Sequence, residues 1–365
     1  MNTKSGEFLY VTAKNIKSAG IDLSNITYVS KEEHDLIYSR CNPAQGDILF
    51  IKDGATTGVV TINQLKEPFS LLSSVALIKT SQINQFIVFA MRAPYFFASI
   101  RDKMKGVAIT RVTLKILNSC VIPLPPLAEQ KRIVAKVEEL MALIDQAEAA
   151  NVEINALATQ LKSAILTKAI QGKLVPQRLA DETVDIDVKD AVPEDEQPFE
   201  IPQNWRWVKA GVAFKLISGR DLGKADILSD GGEIPYLTGA SQIQNGNVLI
   251  TRWTNQGAVF SERNDLLLTC KGTVGKTAIN LYGRMHIARQ IMALRVNEQC
   301  ITTRYLALPV KASVNILRAN AQGLIPGIDR KMVLSLPIPL PPRAEQTRIV
   351  AKVEELFSII DNMAS

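Results

Sequence analysis

The sequence predicts an α+β protein in which two tandem globular domains are separated by long helices that pair as an antiparallel coiled coil. Three observations support this fold. A nearly identical segment occurs twice, a run of 45 residues contains neither glycine nor proline, and apolar residues in that run alternate in steps of four and three. The length of 365 residues also suits two or three domains better than one.

The composition is that of a globular protein. Apolar residues make up 47% of the chain and charged residues 21%, which excludes general disorder. No apolar run reaches the roughly 18 residues of a membrane span, and the first residues contain no apolar signal core. The four cysteines lie far apart without a C-x-x-C pair, so we expect neither a disulfide framework nor a zinc site, and we expect a cytoplasmic location without membrane contact.

The formal net charge of +6 is unevenly distributed. Residues 181–200 contain nine acidic residues and one basic residue, whereas residues 1–121 carry a net charge of +5 and residues 201–337 carry +9. Two separate basic regions are typical of a protein that binds a polyanion such as nucleic acid. A solvated basic face without such a ligand is the alternative that charge alone leaves open.

The duplicated segment is the strongest signal in the chain. Residues 122–145 read IPLPPLAEQKRIVAKVEELMALID and residues 338–361 read IPLPPRAEQTRIVAKVEELFSIID, with 19 of 24 positions identical. Weaker similarity precedes both copies, where GDILFIKDGATTG corresponds to NDLLLTCKGTVG. A globular domain followed by a helix has therefore been duplicated. The domains have diverged more than the helices, which predicts that the two domains recognise different targets. The alternative is that the sequences of buried helices change more slowly than those of domain surfaces.

The first helix is expected to begin after Pro125 and Pro126 and to end at Gly172. Its 45 residues would span roughly 68 Å, which is longer than a small domain is wide. An ordinary amphipathic helix on a globular core is the alternative, and the length and regularity argue against it. The heptad spacing predicts a seam at Ile133, Val137, Leu140, Ile144, Ala147, Asn151, Ile154, Ala158, Leu161 and Ile165.

The second copy repeats the seam at Ile349, Val353, Leu356 and Ile360. Antiparallel packing of the two helices would make them a spacer between the domains. Asn151 either fixes the register of the pair or faces a solvent gap. The predicted boundaries are 1–121 for the first domain, 122–172 for the first helix, 173–204 for an acidic linker, 205–337 for the second domain and 338–365 for a second, shorter helix.

These motifs resemble the specificity (S) subunit of type I restriction-modification enzymes. The resemblance is carried by the repeated PLPPLAEQKRIVAKVEEL, by QGKLVPQ after the first helix, and by the acidic linker that runs into PFEIPQNWRWVKAG, and it covers nearly the whole chain. It implies two α/β target recognition domains that each read one half of a bipartite sequence in double-stranded DNA, with the helices fixing the unread spacer.

The resemblance also implies partners. Modification (methyltransferase) subunits, which use S-adenosylmethionine, would dock on the helices, and restriction (motor nuclease) subunits would complete the enzyme. No cofactor is expected in this chain, which would not itself be catalytic. A stand-alone DNA-binding scaffold, or a shortened S-subunit form that assembles without directing modification, is the alternative function.

The sequence departs from a symmetrical repeat. The second domain begins with Trp205, Trp207 and a stretch through Glu233, whereas the first begins at Phe8, which corresponds to Ile234. The first domain is therefore expected to be N-terminally incomplete. The second helix also has no counterpart of residues 151–172.

Candidate DNA contacts were chosen by side-chain chemistry, because Arg and Lys recognise guanine and phosphate whereas Asn and Gln recognise adenine. Each of them could instead be a solvated surface residue. The candidates are Lys14, Asn15, Lys17, Lys52, Thr56, Thr57, Ser73, Ser74, Lys105 and Arg111 in the first domain, and Thr238, Ser241, Gln242, Lys271, Thr273, Lys276, Arg289 and Gln290 in the second.

Catalytic and metal-binding motifs are not predicted. KGTVGKT at residues 271–277 has two residues between its glycines, whereas a Walker A phosphate loop needs four. The corresponding DGATTG at residues 53–58 marks this segment as a repeated structural turn. The two histidines, His34 and His286, form no H-E-x-x-H motif or ligand cluster. An enzymatic function is therefore kept only as an alternative to DNA recognition.

Overall fold

The computed structural model describes residues 3–101, 111–178, 180–187, 190–319 and 327–364. The chain divides into two compact units, Met1–Glu148 (unit 1) and Ala149–Ser365 (unit 2). A search of the described helices for one long and apolar enough to cross a membrane finds none.

Unit 1 is built mainly from short strands and short helices, followed by the first half of a long helix. The elements are β1 (Phe8–Val11), β2 (Ile16–Lys17), β3 (Gly20–Ile21), β4 (Thr27–Val29), α1 (Lys31–Tyr38), β5 (Ile48–Ile51), β6 (Val60–Ile62), β7 (Ser70–Leu71), β8 (Val75–Ile78), α2 (Asn84–Arg92), α3 (Pro94–Arg101), α4 (Leu114–Asn118) and α5 (Leu127–Ile170).

Strand β5 is the centre of unit 1. It pairs antiparallel with β6 and β8, while β1 lies between β4 and β7 and runs parallel to β7. Alternate residues of a strand face opposite sides of its sheet. Accordingly Ile48 and Phe50 pack in one apolar cluster, and Leu49 and Ile51 pack in another. All four are buried because both faces of the sheet are covered.

Unit 2 contains the end of α5 and a larger set of elements. They are β9 (Arg206–Lys209), α6 (Ala210–Ala213), β10 (Phe214–Ser218), β11 (Ile234–Leu237), β12 (Ile243–Gln244), β13 (Asn247–Val248), β14 (Trp253–Thr254), β15 (Phe260–Ser261), β16 (Leu266–Thr269), β17 (Thr277–Ile279), β18 (Met285–Ile287), β19 (Ile291–Val296), α7 (Thr303–Ala319), α8 (Arg330–Leu334), β20 (Pro337–Leu340) and α9 (Arg343–Met363).

The sheets of unit 2 reproduce those of unit 1 and extend them. Strands β17, β16 and β19 correspond to β6, β5 and β8, and the order β14-β11-β18 corresponds to β4-β1-β7, each with one parallel pair. Unit 2 adds β10 at the free edge of β19 and pairs β9 with β20. The predicted duplication of a globular domain is therefore visible in the strand order.

A repeated glutamine fixes the start of each long helix to its own unit. Gln130 and Gln346 are both fully buried. The Oε1 atom of Gln130 accepts from the amide of Ile83 at 3.4 Å, and that of Gln346 accepts from the amide of Thr302 at 2.9 Å. Each side chain also donates to the carbonyl five residues before it, at 2.9 and 3.1 Å. Buried amides need such partners, which explains why both copies keep this residue.

Helix α5 confirms the predicted long helix, with 44 residues from Leu127 to Ile170. Its end contacts α9, because Ile165 lies in one apolar cluster with Ile349, Val353 and Ile360, and Lys162 forms an ion pair with Asp361. Ile133 and Val137 are half-buried, and Leu356 is partly buried in that cluster. Of the other predicted seam residues, Ala158 packs partly buried against the same cluster. The rest are exposed: Leu140 (48%), Ile144 (52%), Ala147, Asn151, Ile154 (45%) and Leu161 (52%).

The second predicted helix begins later in the structure than expected, at Arg343. Residues 337–340, partly assigned to the second helix, form β20, because Pro337 and Pro339 favour an extended backbone that pairs with β9. The described part of the acidic linker belongs to unit 2 and packs against its other elements. Its Asp181 accepts from Arg348 at 2.6 Å, and its Val192 amide donates to the carbonyl of Trp207 at 3.1 Å.

Candidate nucleic-acid interface

The repeated glycine segment forms a tight turn after the central strand of each unit. In unit 1 the backbone φ angles of Gly54 and Gly58 are +111° and +101°, and in unit 2 those of Gly272 and Gly275 are +72° and +88°. Residues with a Cβ atom rarely adopt these angles, so glycine is required. The segment connects β5 to β6 and β16 to β17, which explains the motif without a bound phosphate.

In unit 1 this turn lies beside two further segments that carry candidate residues. The amide of Lys52 donates to the carbonyl of Ser74 at 2.9 Å, and the amide of Val112 donates to the carbonyl of Lys52 at 2.7 Å. Asp53 forms ion pairs with Lys52 at 2.9 Å and with Arg111 at 3.1 Å. Two cations therefore surround one carboxylate, and the local charge stays positive.

Arg111 is the more accessible of these two cations. Its side chain is 64% exposed, whereas that of Lys52 is 13% exposed. The ion pair uses Nε of Arg111, and an arginine held through Nε still carries its two Nη groups as donors for phosphate or guanine. Thr56 in the glycine turn and Ser73, which precedes Ser74, are exposed. Thr57 is half-buried, and its hydroxyl donates to the carbonyl of Gly54 at 2.6 Å.

A second group of candidates in unit 1 lines a groove. Lys14 and Lys17 are exposed and border it together with Leu72. Asn15 is buried, and its Oδ1 atom accepts from the amide and hydroxyl of Thr12 at 3.0 and 2.9 Å. Asn15 therefore shapes the loop that presents the two lysines.

In unit 2 the exposed arginine beside the glycine turn is Arg289, which takes the position of Ser73 and not that of Arg111, because the amide of Cys270 donates to the carbonyl of Gln290 as that of Lys52 donates to Ser74. Its Nε atom lies 2.7 Å from Oδ2 of Asp221, and its side chain is 64% exposed. The amide nitrogen of Gln290 lies 3.2 Å from both Asp221 Oδ1 and the carbonyl of Thr238, in the orientation that satisfies both acceptors. Asp221 thus holds Arg289, as Asp53 holds Arg111, although the two pairs occupy different positions of the repeat.

Two polar candidates in unit 2 fix a loop. Gln242 is buried, and its Oε1 atom accepts from the amide and hydroxyl of Thr238 at 2.6 and 2.7 Å. The Nζ atom of Lys276 donates to the carbonyls of Ala240 and Ile243 at 3.1 and 3.0 Å. These bonds tie the loop that carries exposed Ser241 to the glycine turn that carries Lys276.

The same loop contains a hairpin that the sequence analysis missed. Asn245 and Gly246 have φ angles of +49° and +78° and connect β12 to β13. An Asn-Gly pair is the strongest short-range signal for this kind of turn, so the hairpin was recognisable. Beside it, Lys271 and Thr273 are exposed at the tip of the glycine turn.

In unit 1 the described candidates thus form two groups, one around the glycine turn and one along the groove, and in unit 2 they lie on the hairpin loop and beside the glycine turn. Lys105 lies outside the described residues, and Ser74 is half-buried. The sequence analysis missed Asp53 and Asp221, although each directly follows a basic residue. The exposed candidates are Lys14, Lys17, Thr56, Ser73, Arg111, Ser241, Lys271, Thr273 and Arg289.

Both histidines are core residues. His34 stacks on Phe8 with ring centroids 3.9 Å apart, and its Nδ1 atom lies 3.0 Å from Oγ of Ser70. His286 is fully buried, and burial lowers its pKa below the usual value. A search of the described residues finds no group of three or more His, Cys, Asp or Glu side chains that could hold a metal ion.

Comparison with known proteins assigns a family. Residues 2–156 and 202–364 match the model of the type I restriction modification DNA specificity domain. The chain is 24% identical to the specificity subunit of the type I restriction enzyme EcoBI of Escherichia coli, over 99% of this chain and 77% of that subunit. It is 21% identical to the EcoAI specificity subunit of Escherichia coli, over 86% of this chain and 64% of that subunit.

A solved structure has the same fold. It comes from work described as the structural basis underlying complex assembly and conformational transition of the type I restriction-modification system. The TM-score is 0.76 at 20% identity, covering 98% of this chain and 85% of the other. Since the family model matches both halves of the sequence, the chain belongs to the type I restriction-modification specificity family, whose members are the non-catalytic DNA specificity subunits of these systems.

Proposed function

We propose that each unit recognises one half of a bipartite target in double-stranded DNA, and that α5 with α9 sets the number of unread base pairs between the halves. The observation that carries this proposal is that the same glycine turn is flanked by different polar side chains in the two units. Arg111 and Arg289 are each held by one carboxylate beside a repeated glycine turn, but the surrounding candidates differ in the two units. Different base-edge donors and acceptors would select different half-sites.

The contacts between α5 and α9 support an antiparallel coiled coil. Lys162 within α5 pairs with Asp361 near the end of α9. Gln177, which follows α5, donates to Glu345 near the start of α9 at 2.6 Å. This order of contacts supports an arrangement in which the two helices run in opposite directions. The exposed apolar residues of α5 from Leu140 to Leu161 would then be available to modification subunits, which would carry S-adenosylmethionine, while restriction subunits would complete the enzyme.

The spacer proposal is tested by lengthening α5 in cells that also contain the modification subunit. A seven-residue insertion after Ala142 keeps the heptad phase and adds roughly 10.5 Å. Ala142 lies in an exposed part of α5, away from the segment that contacts α9. At about 3.4 Å per base pair, methylome sequencing should show both half-sites unchanged and up to about three more base pairs between them.

A matched control replaces Lys136, Glu138 and Glu139, which are exposed and lie outside the apolar seam, by alanine without changing the length of α5. This variant should methylate the original spacing. If the lengthened chain also methylates the original spacing with undiminished efficiency, the helix does not set the distance and the proposal is wrong.

A further inference from the structure

Both units contain a short hairpin whose buried residues are alike. In unit 1, β2 pairs with β3 so that Ile16 lies opposite Ile21. In unit 2, β12 pairs with β13 so that Ile243 lies opposite Val248. Each of these pairs belongs to an apolar cluster of its own unit. One face of each hairpin is therefore held against the core.

The loop that leads into each hairpin is fixed by the same side-chain hydrogen bonds. The Oδ1 atom of buried Asn15 accepts from the amide and the hydroxyl of Thr12. The Oε1 atom of buried Gln242 accepts from the amide and the hydroxyl of Thr238. These bonds show that the two hairpins occupy equivalent positions of the repeat.

A cation from another element also holds each hairpin. Arg92 of α2 donates to the carbonyl of Ser18, between β2 and β3. Lys276 of the second glycine turn donates to the carbonyls of Ala240 and Ile243. A hairpin that is fixed in this way presents its exposed side chains with little loss of conformational entropy on binding.

The exposed faces of the two hairpins differ in chemistry. Gln244 and Asn247 lie opposite each other on β12 and β13, and both are exposed. Residues in such positions have Cβ atoms roughly 5 Å apart. The equivalent pair in unit 1 consists of exposed Lys17 and of Gly20. Unit 2 therefore presents two amides where unit 1 presents one ammonium group.

The amides of unit 2 are suited to a nucleic-acid base. Residues 234–261 contain six Asn or Gln residues, one basic residue and no acidic residue, so this segment does not repel phosphate. The side-chain amide of Gln244 donates to the carbonyl of Ser241 at 3.3 Å, and that of Asn247 donates to the carbonyl of Asn245 at 3.4 Å. Both bonds are longer than usual, so a base can replace them at little cost.

We propose that the β12–β13 hairpin reads adenine in one half-site through Gln244 and Asn247, and that the β2–β3 hairpin reads guanine in the other half-site through Lys17. The major groove of DNA admits a two-stranded β-ribbon. In that groove an Asn or Gln side chain pairs with N6 and N7 of adenine, whereas Lys binds O6 and N7 of guanine. This inference rests on the proposed function and adds which residues select which base.

The test compares methylated motifs in cells that contain the full chain and the modification subunit. Gln244→Ala combined with Asn247→Ala should lower the preference for adenine at one or two positions of a single half-site by about fivefold or more. Lys17→Ala should lower the preference for guanine in the other half-site. Gln203→Ala is the control, because it removes an exposed amide three residues before β9, and it should change neither half-site.

An exchange of the two exposed pairs tests the same assignment as a gain of preference. Gln244→Lys combined with Asn247→Gly gives unit 2 the pair found in unit 1, so guanine should replace adenine at the affected position. The turn residues between β12 and β13 are kept. The replaced side chains are exposed, so the midpoint of urea unfolding should equal that of the wild-type chain.

The outcomes separate this inference from the proposed function. If the wild-type chain directs bipartite methylation and the double alanine variant keeps the same motif, the hairpin does not read bases and the inference is wrong. Equal loss of methylation at all sites, without relaxation at any base pair, would also overturn it. A wild-type chain that directs no bipartite methylation would overturn the proposed function and this inference together.

Discussion

The indole Nε1 atom of Trp205 donates a hydrogen bond of 2.9 Å to Oε2 of Glu345, and both side chains are buried. This bond joins the start of β9 to the first turn of α9. Burial raises the pKa of Glu345, while the hydrogen bonds from Trp205 and Gln177 act in the opposite direction. The pair shows how a segment that follows α5 is fastened to the second long helix.

Glu345→Ala should destabilise unit 2, because it leaves the buried indole Nε1 of Trp205 without its acceptor. We expect a loss of about 2 kcal/mol in the free energy of unfolding. Urea unfolding followed by tryptophan fluorescence measures it, since Trp205, Trp207 and Trp253 all lie in unit 2. The matched control is Glu129→Ala, at the exposed equivalent position of unit 1, which should not change the unfolding midpoint. Equal effects of both changes would contradict the assignment.

Unit 2 should lose stability as the pH falls below about 6.5. Nδ1 of His286 faces the amides of Ala258 and Val259 at 3.3 Å each, and its Nε2 atom lies 2.9 Å from the carbonyl of Arg220. A proton on Nδ1 would make this atom a donor that faces two other donors, the amides of Ala258 and Val259, so both hydrogen bonds would be lost. Burial lowers the pKa of His286 in the folded chain below its usual value of 6.5. Below pH 6.5 the unfolded chain therefore binds the proton more readily than the folded chain does.

The stability contributed by neutral His286 is therefore present above that pH and is lost as the pH falls towards the folded pKa. Urea unfolding from pH 7.5 to 5.5, followed by tryptophan fluorescence, should show a falling midpoint. His286→Gln should flatten this dependence. A wild-type midpoint that rises over the same interval would exclude the mechanism.

The helix seam should tolerate a charge where it is exposed and not where α9 covers it. Ile349 is fully buried, so Ile349→Asp should cost about 3 kcal/mol or more in unit 2. Leu140 is 48% exposed, so Leu140→Asp should leave unfolding nearly unchanged while reducing assembly with the modification subunit. Tryptophan fluorescence reports the first effect, and light scattering of the mixed subunits reports the second. Full assembly of Leu140→Asp would argue against docking on this face.

Binding to duplex DNA should weaken steeply with salt, because cations of both units displace counterions from phosphate. If Arg111 and Arg289 contact phosphate, replacing each by alanine should reduce the slope of log Kd against log salt by about one. Lys31→Ala is the control, since Lys31 forms its ion pair with Asp35 on helix α1, outside the candidate surfaces. A flat plot for the wild-type chain would contradict the DNA interface altogether.

Two lysines of the second glycine turn should behave differently. Lys276→Ala removes two hydrogen bonds to the carbonyls of Ala240 and Ile243, so it should destabilise unit 2 by about 1 to 3 kcal/mol. Lys271 is exposed, and Lys271→Ala should weaken DNA binding without changing the unfolding midpoint. Urea unfolding and a DNA titration on both variants separate the two roles. Reversed results would show that Lys276 rather than Lys271 faces the DNA.

The sequence alone determined the features that depend on local chemistry. The absence of glycine and proline after Pro126 defined α5, because helix continuity is decided residue by residue. The repeated PLPPxAEQ indicated the duplication. The spacing of the glycines predicted the repeated turns, since only glycine readily adopts a positive φ. The two basic regions, residues 1–121 and 201–337, predicted that the chain binds a polyanion.

Only the tertiary structure decided which of these residues are covered. Leu140 and Ile349 occupy the same heptad pattern, yet Leu140 is 48% exposed, whereas Ile349 is buried in a cluster with Ile165 at the end of α5. Asn15 and Arg111 were equal candidates, but one is hydrogen-bonded inside a loop and the other is held outward by Asp53. Burial depends on contacts between segments far apart in the chain, and no local pattern encodes which segments meet.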